Sequence, residues 1–158
     1  MISQKAKYAL RALVALARVN DSMMIGEIAA QERIPRKFLE QILLELKHHG
    51  IVLSKRGKFG GYALLMPASE ITFGQVLRII DGPIAPLPCL SRIAYRRCAD
   101  CHAEEECEIR RVFARVATSA RDVLDRTSIG DAITPPDVAV MKQEVLHEHA
   151  SRVGFPRD

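Results

Sequence analysis

The sequence predicts a mainly α-helical fold with one small β-hairpin, and three observations predict it. Apolar residues recur at three- and four-residue steps, as in Leu39, Ile42, Leu43 and Leu46 or Ile109, Val112, Phe113 and Val116, the period of an amphipathic helix. Two short helical segments are joined by only Glu32-Arg33-Ile34, and the second ends at Gly50, which is the outline of a helix-turn-helix. Immediately afterwards Ile51–Arg56 and Tyr62–Leu65 read as strands around Gly57-Lys58-Phe59-Gly60-Gly61, a glycine-rich tip. A hairpin in that position makes the segment a winged helix-turn-helix, with a further long helix beyond residue 104.

The elements follow in order. Ser3 can cap a first helix whose inward positions are Ala6, Leu10, Leu13, Val14 and Ala17, and Asn20-Asp21-Ser22 break it. A short helix over about 26–31 turns Ile28 and Ala29 inward. Pro35 suits the first position of the next helix, because the N–H it lacks would be unpaired there anyway. That helix carries His48 and His49 in its last turn, before Gly50. Pro67 ends the second strand, and Thr72-Phe73-Gly74-Gln75 is a capping-box sequence opening a helix through Val76, Ile79 and Ile80 to Asp81 and Gly82. Residues 83–88, Pro-Ile-Ala-Pro-Leu-Pro, form a stiff extended linker. From about Glu104 a long helix is expected, its apolar stripe running from Ile109 to Leu124 with Arg110, Arg111, Arg115, Arg121 and Asp122 on the other face. Thr127-Ser128 starts another short element, and Pro135-Pro136 opens a polar tail with at most one marginal helix over 137–149. The organisation is thus a winged-helix domain over 1–82, a cysteine-rich loop over 83–107, a long helix with a short follower over 104–133, and a tail over 134–158.

Charge is unevenly spread. Residues 1–66 hold 11 Lys and Arg against 5 Asp and Glu, whereas the remainder holds 12 against 14. A basic N-terminal half suits phosphate contact, which releases condensed counterions. At the start of the third helix Arg36, Lys37, Phe38, Glu40 and Gln41 present a base-reading set for the DNA major groove. In the hairpin, Arg56 and Lys58 can grip phosphate or enter the minor groove, and Gly60-Gly61 allows close backbone approach. Solvated surface charge would look similar at any one of these positions; charge on both reading elements together favours double-stranded DNA. No phosphate-binding glycine loop ahead of a helix, serine nucleophile elbow or paired catalytic carboxylates occur, so no enzyme is expected. No apolar run is long enough to span a bilayer and no signal-peptide core precedes the first helix, which leads to an expectation of a cytoplasmic protein.

All four cysteines, Cys89, Cys98, Cys101 and Cys107, lie within nineteen residues. In a reducing compartment such a group binds metal or senses redox state more readily than it staples a fold. Zinc would favour paired Cys-x2-Cys knuckles, and only Cys98–Cys101 has that spacing. An iron–sulfur cluster tolerates looser spacing. A disulfide switch needs two accessible thiols, and Arg96, Arg97 and His102 stand near enough in sequence to lower a thiol pKa. Spacing alone leaves the cluster and the thiol switch open.

Lys7-Tyr8-Ala9-Leu10-Arg11, Phe38-Leu39-Glu40-Gln41-Ile42 and Arg56-Gly57-x-x-Gly60-Gly61-Tyr62 together resemble the signature of the winged-helix regulators typified by IscR, NsrR and RirA, over about residues 1–130. The resemblance implies a homodimer held by the long helix and bound to a two-fold operator. It also implies an iron–sulfur cluster, 2Fe–2S or 4Fe–4S, with Cys89, Cys101 and Cys107 matching the three cysteines of the cluster-binding branches. Two departures concern the fourth ligand. Arg110 stands where one branch has a histidine, and Lys7 where another has an aspartate. Cys98 is the leading residue to complete the set, ahead of His102. The expectation is a homodimeric transcription regulator, a repressor or activator, sensing iron, redox state or nitric oxide. A metal-free thiol–disulfide regulator is the alternative within the same fold, and a winged-helix protein-interaction module with structural zinc the alternative from another class.

Overall fold

A computed structural model describes residues 2–57, 60–99, 101 and 103–135. The elements are α1 (Gln4–Val19), α2 (Ile25–Glu32), α3 (Arg36–His48), β1 (Val52–Lys55), β2 (Gly61–Leu64), α4 (Phe73–Ile80), α5 (Glu108–Arg126) and α6 (Ile129–Ile133), with 3-10 turns at Ala68–Glu70 and Pro88–Leu90. The expected mainly helical fold with a two-stranded wing is what forms. β1 and β2 pair antiparallel, Val52 opposite Leu64 and Lys55 opposite Gly61.

α1 is the central helix. Ser3 Oγ accepts the Ala6 N–H at 3.0 Å, and Asn20 closes the other end in the left-handed region at φ 53°, a conformation asparagine tolerates. Ala6, Ala9, Ala12, Leu13 and Ala15 are fully buried. The small alanines let α2, α3, α4 and α6 all approach the same helix. Leu39, Ile42, Leu43 and Leu46 of α3 enter this core as their spacing predicts. Pro35 stands at the N-cap, one position earlier than expected, with φ −57° and ψ 124°. Its carbonyl accepts from both Phe38 and Leu39, so the helix begins at Arg36.

The wing is fastened at its base. Met23 and Tyr62 exchange two backbone hydrogen bonds of 2.9 Å. Gly60 and Gly61 are required by the protein's own backbone here. A Cβ on Gly61 would lie 2.2 Å from the Met23 carbonyl oxygen, and one on Gly60 would lie 2.4 Å from that of Lys55. β1 is one residue shorter at each end than the sequence suggests, and β2 keeps four residues but begins one earlier, at Gly61.

The chain then returns to α1. Thr72 Oγ1 accepts the Gln75 N–H at 3.1 Å and caps α4. The Phe73 N–H donates to the Thr127 carbonyl, and the Ile129 N–H to the Ile71 carbonyl. These two bonds seat α6 so that Ile129 is fully buried in the same core as α1 and α3. A boundary at residue 82 therefore does not enclose the whole core. At the other end of α4, the Asp81 carboxylate accepts from both the backbone N–H and the hydroxyl of Ser3.

α5 begins at Glu108, four residues later than expected. Glu104 is held outside the helix, accepting from the Tyr95 hydroxyl and pairing with Arg110 Nε at 3.5 Å. Cys107 is the N-cap, its sulfur accepting the Arg110 N–H at 3.4 Å. The expected linker is not extended throughout: the Ala85 N–H donates to the Pro83 carbonyl at 3.0 Å, and the chain then enters the turn Pro88–Leu90. The marginal helix expected over 137–149 lies outside the described residues.

Candidate nucleic-acid interface and thiol segment

α3 presents Arg36, Lys37, Glu40 and Gln41 to solvent. Arg36 Nε and Glu40 Oε1 are 3.4 Å apart and both side chains stay exposed, a pair of little stabilising worth that DNA can displace. Phe38 departs from the expected set. It is half-buried and packs edge-on against Tyr8, with ring centroids 5.9 Å apart and planes at 79°. An aromatic edge committed to the core is a packing group, which leaves four side chains on the open face. Arg36 lines a cleft of about 540 Å³ together with Gly26, Lys55, Gly57, Gly61 and Tyr62. The start of the reading helix and the base of the wing thus face one opening. Arg56 is exposed beside it; Lys58 lies outside the described residues.

The cysteines flank α5: Cys107 stands at its start, and Cys89 lies in a turn that packs against it. Cys89 is buried in the turn Pro88–Leu90, which packs on α5 and whose Leu90 carbonyl accepts from Arg121 at 3.4 Å. Cys98, Cys101 and Cys107 are half-buried. Cys101 is within hydrogen-bonding reach of both Cys107 and Cys98, and the bond to Cys107 is the main reason its thiol is pushed up to about 12. Cys107 moves the opposite way. The Arg110 N–H at the start of α5 stabilises its thiolate, and the bond from Cys101 adds to this. The two shifts oppose each other because Cys101 donates towards Cys107. Among the described residues no three Cys, His, Asp or Glu side chains converge closely enough to hold one metal ion. Cys98, Cys101 and Cys107 are soft thiols near one another, the donor type an iron–sulfur cluster takes, while Cys89 lies in the turn bonded to Arg121. His102 lies outside the described residues.

Sequence reading missed the ties that shape this segment. Tyr95 to Glu104, Arg110 to Glu104 and Arg121 to Leu90 each join residues separated by a turn or more of irregular chain. The signals read there, Arg96, Arg97 and His102, pointed to thiol pKa values.

The face of α5 left open is apolar. Ile109, Val112, Val116 and Val123 are 62, 59, 52 and 64% exposed, while Ala117 is buried against the turn and α4 side. An adjoining hollow of about 460 Å³ is lined by Ile2, Leu77, Pro83, Ile84, Val116 and Ala120. Among the described residues no helix is long and apolar enough to cross a membrane.

A recognition helix with an exposed polar start beside a fastened hairpin, on a closed helical core, defines the winged-helix class of DNA-binding regulators. Within that class the chain belongs to the Rrf2 family: the model of that family, described as an iron-dependent transcriptional regulator, matches residues 2–135. The resemblance read from the sequence is borne out. The chain is 49% identical over 138 residues to an rrf2-like HTH-type transcriptional regulator of Rhodobacter capsulatus, covering 84% of this chain and 92% of that one. It is 26% identical to the HTH-type transcriptional regulator IscR of Vibrio parahaemolyticus, over 87% of this chain and 79% of the relative. Among solved structures it is similar to CymR, the global cysteine regulator of B. subtilis, with TM-score 0.72 and 28% identity over 87% and 98% of the two chains. These relatives are transcription regulators, and so is this protein; it is not an enzyme.

Proposed function

We propose that the protein is a homodimeric, cytoplasmic transcription regulator whose DNA affinity responds to an iron–sulfur cluster held by Cys89, Cys98, Cys101 and Cys107. The observation that supports it is the position of the thiols. Cys101 lies beside Cys98 and Cys107, and Cys107 is itself the N-cap of the helix whose apolar face is open. A change at the thiols thus acts on the first turn of α5 directly. When bound, the cluster supplies redox-, oxygen- and nitric-oxide-sensitive chemistry at that turn. The protein's own residues do the rest. Tyr95 and Arg110 hold Glu104, Arg121 holds Leu90, and α5 carries the consequence to the winged helix. Arg36, Lys37, Glu40 and Gln41 read bases, and Arg56 and Lys58 contact backbone or minor groove, on operators with half-sites a helical turn or a multiple apart.

A second reading has its own support. Cys101 and Cys107 lie within hydrogen-bonding reach of each other at a helix N-terminus and are arranged as a thiol pair. Their oxidation to a disulfide gives up two electrons and two protons to an oxidant such as a peroxide or another disulfide. Anaerobic reconstitution tests both readings. Broad visible absorption with iron and sulfide in stoichiometric amounts, and an operator affinity that changes when the cluster is removed, is the expected result. A colourless, iron-free protein whose operator affinity changes only on forming the Cys101–Cys107 disulfide would replace the first reading with the second.

A further inference from the structure

Helix α5 meets the winged helix at a polar joint. Arg78 of α4 and Asp125 of α5 are bonded by two parallel contacts, Nη1 to Oδ1 and Nη2 to Oδ2, each 2.7 Å. Beneath them lies Gly74, one helical turn before Arg78. A Cβ on Gly74 would stand 1.9 Å from Asp125 Oδ1 and 3.0 Å from Arg78 Nη1. The Gly74 backbone is ordinary helix that any residue adopts. Glycine there weakens α4 relative to alanine, and what it provides is room for a carboxylate from α5.

Stability is a poor account of this arrangement. Arg78 and Asp125 are about a third and two-fifths exposed, and exposed ion pairs add little. A planar guanidinium meeting a carboxylate through two bonds fixes direction as well as distance. The bonds from Phe73 to Thr127 and from Ile129 to Ile71 pin the chain just past α5. The last turn of α5 is therefore clamped in orientation, while its first turn, roughly 28 Å away, carries Cys107. Between them lies the open apolar face.

We propose that Arg78, Asp125 and the space left by Gly74 form an angular joint that fixes the direction of α5 on each winged helix, and so sets the separation of the two recognition helices on DNA. The proposal rests on the reading that two copies pair through α5. Arg78 and Asp125 are positioning residues, acting on DNA through the helix that they aim.

The test is tolerance of operator spacing. Palindromic duplexes are selected from a randomised library with the full-length wild-type protein, then rebuilt with spacers one or two base pairs longer or shorter. Each base pair shifts the half-sites by about 3.4 Å and turns them by about 35°, so wild-type affinity falls steeply on either side of the optimum. Gly74→Ala and Asp125→Asn are expected to lose roughly tenfold at the optimum, a coupling-sized effect, and to flatten the spacing profile. Their affinity for a single half-site and their melting temperatures stay close to wild type. Arg78→Lys keeps the charge without the fork and is expected to flatten the profile too. Variants as selective for spacing as wild type would overturn the joint, and so would full selectivity in Arg78→Lys alone. A wild-type protein indifferent to spacing would instead remove the pairing reading on which the joint rests.

Discussion

Replacing Ile129 with alanine tests whether the last described helix belongs to the winged-helix core. Ile129 is fully buried among side chains of α1 and its neighbours, and its N–H is bonded to Ile71 at 2.8 Å. Truncation to alanine removes three carbon groups, worth roughly 2.4 kcal/mol of transfer free energy at about 0.8 kcal/mol each. The cavity left in a core clamped by backbone bonds adds to this, giving an expected loss of about 3 kcal/mol. With a urea dependence of about 1.5 kcal/mol/M, the unfolding midpoint falls by about 2 M. Circular dichroism during urea titration measures it, at two protein concentrations tenfold apart so that any effect of association is separated. Ile93→Ala is the control, since that side chain is 69% exposed and its loss should cost under about 0.5 kcal/mol. A loss that small in Ile129→Ala would refute the argument, showing that α6 rests on the domain without completing it.

Three further outcomes are expected. Val116→Asp places a carboxylate on the open face of α5 in both copies and should raise the dimer dissociation constant by about a hundredfold or more; sedimentation at micromolar concentration identical to wild type would contradict pairing through that face. Asp131 is held below the usual carboxylate range by the Ser128 N–H and hydroxyl. Depressed carboxylates contribute stability that is present above the unfolded value of about 3.9 and lost as pH falls through the lower folded value. Asp131→Asn should therefore destabilise at pH 7 and bring the variant closer to wild type at pH 3, as denaturant titrations at the two pH values will show. Gly61→Ala drives a Cβ against the Met23 carbonyl and should cost about 1–3 kcal/mol of stability, along with operator affinity, since the base of the wing must move; unchanged melting and gel-shift behaviour would show that the backbone yields freely.

Local chemistry was legible in the sequence. Ser3, Thr72 and Ser128 cap the helices they precede, and the three-four spacing picked out the buried face of α3 without error. What was illegible depended on contacts between distant residues. The run Glu104-Glu105-Glu106 has the charge of a helix start, but Tyr95 and Arg110 draw Glu104 out of line and Cys107 takes the cap. Phe38 sits among polar residues on a reading helix, and only Tyr8, thirty positions earlier, turns it inward. Gly60 and Gly61 were recognisable as a tip that permits close approach. Which backbone they approach is decided by how the strands pair with Met23. Ile129 carries no mark in its own segment of the fully buried place it takes beside α1.

The bond between Ser3 and Asp81 bears on how the protein should be handled. Ser3 is tied to the end of α4, and Ile2 beside it lines the hollow that Val116 and Ala120 also line. Residues appended ahead of the chain therefore emerge at the edge of the apolar face of α5. An affinity tag on that terminus lies where a second copy is proposed to rest, and even a short remnant after cleavage stays within reach. Association and operator constants obtained on such material include the work of moving the tag aside.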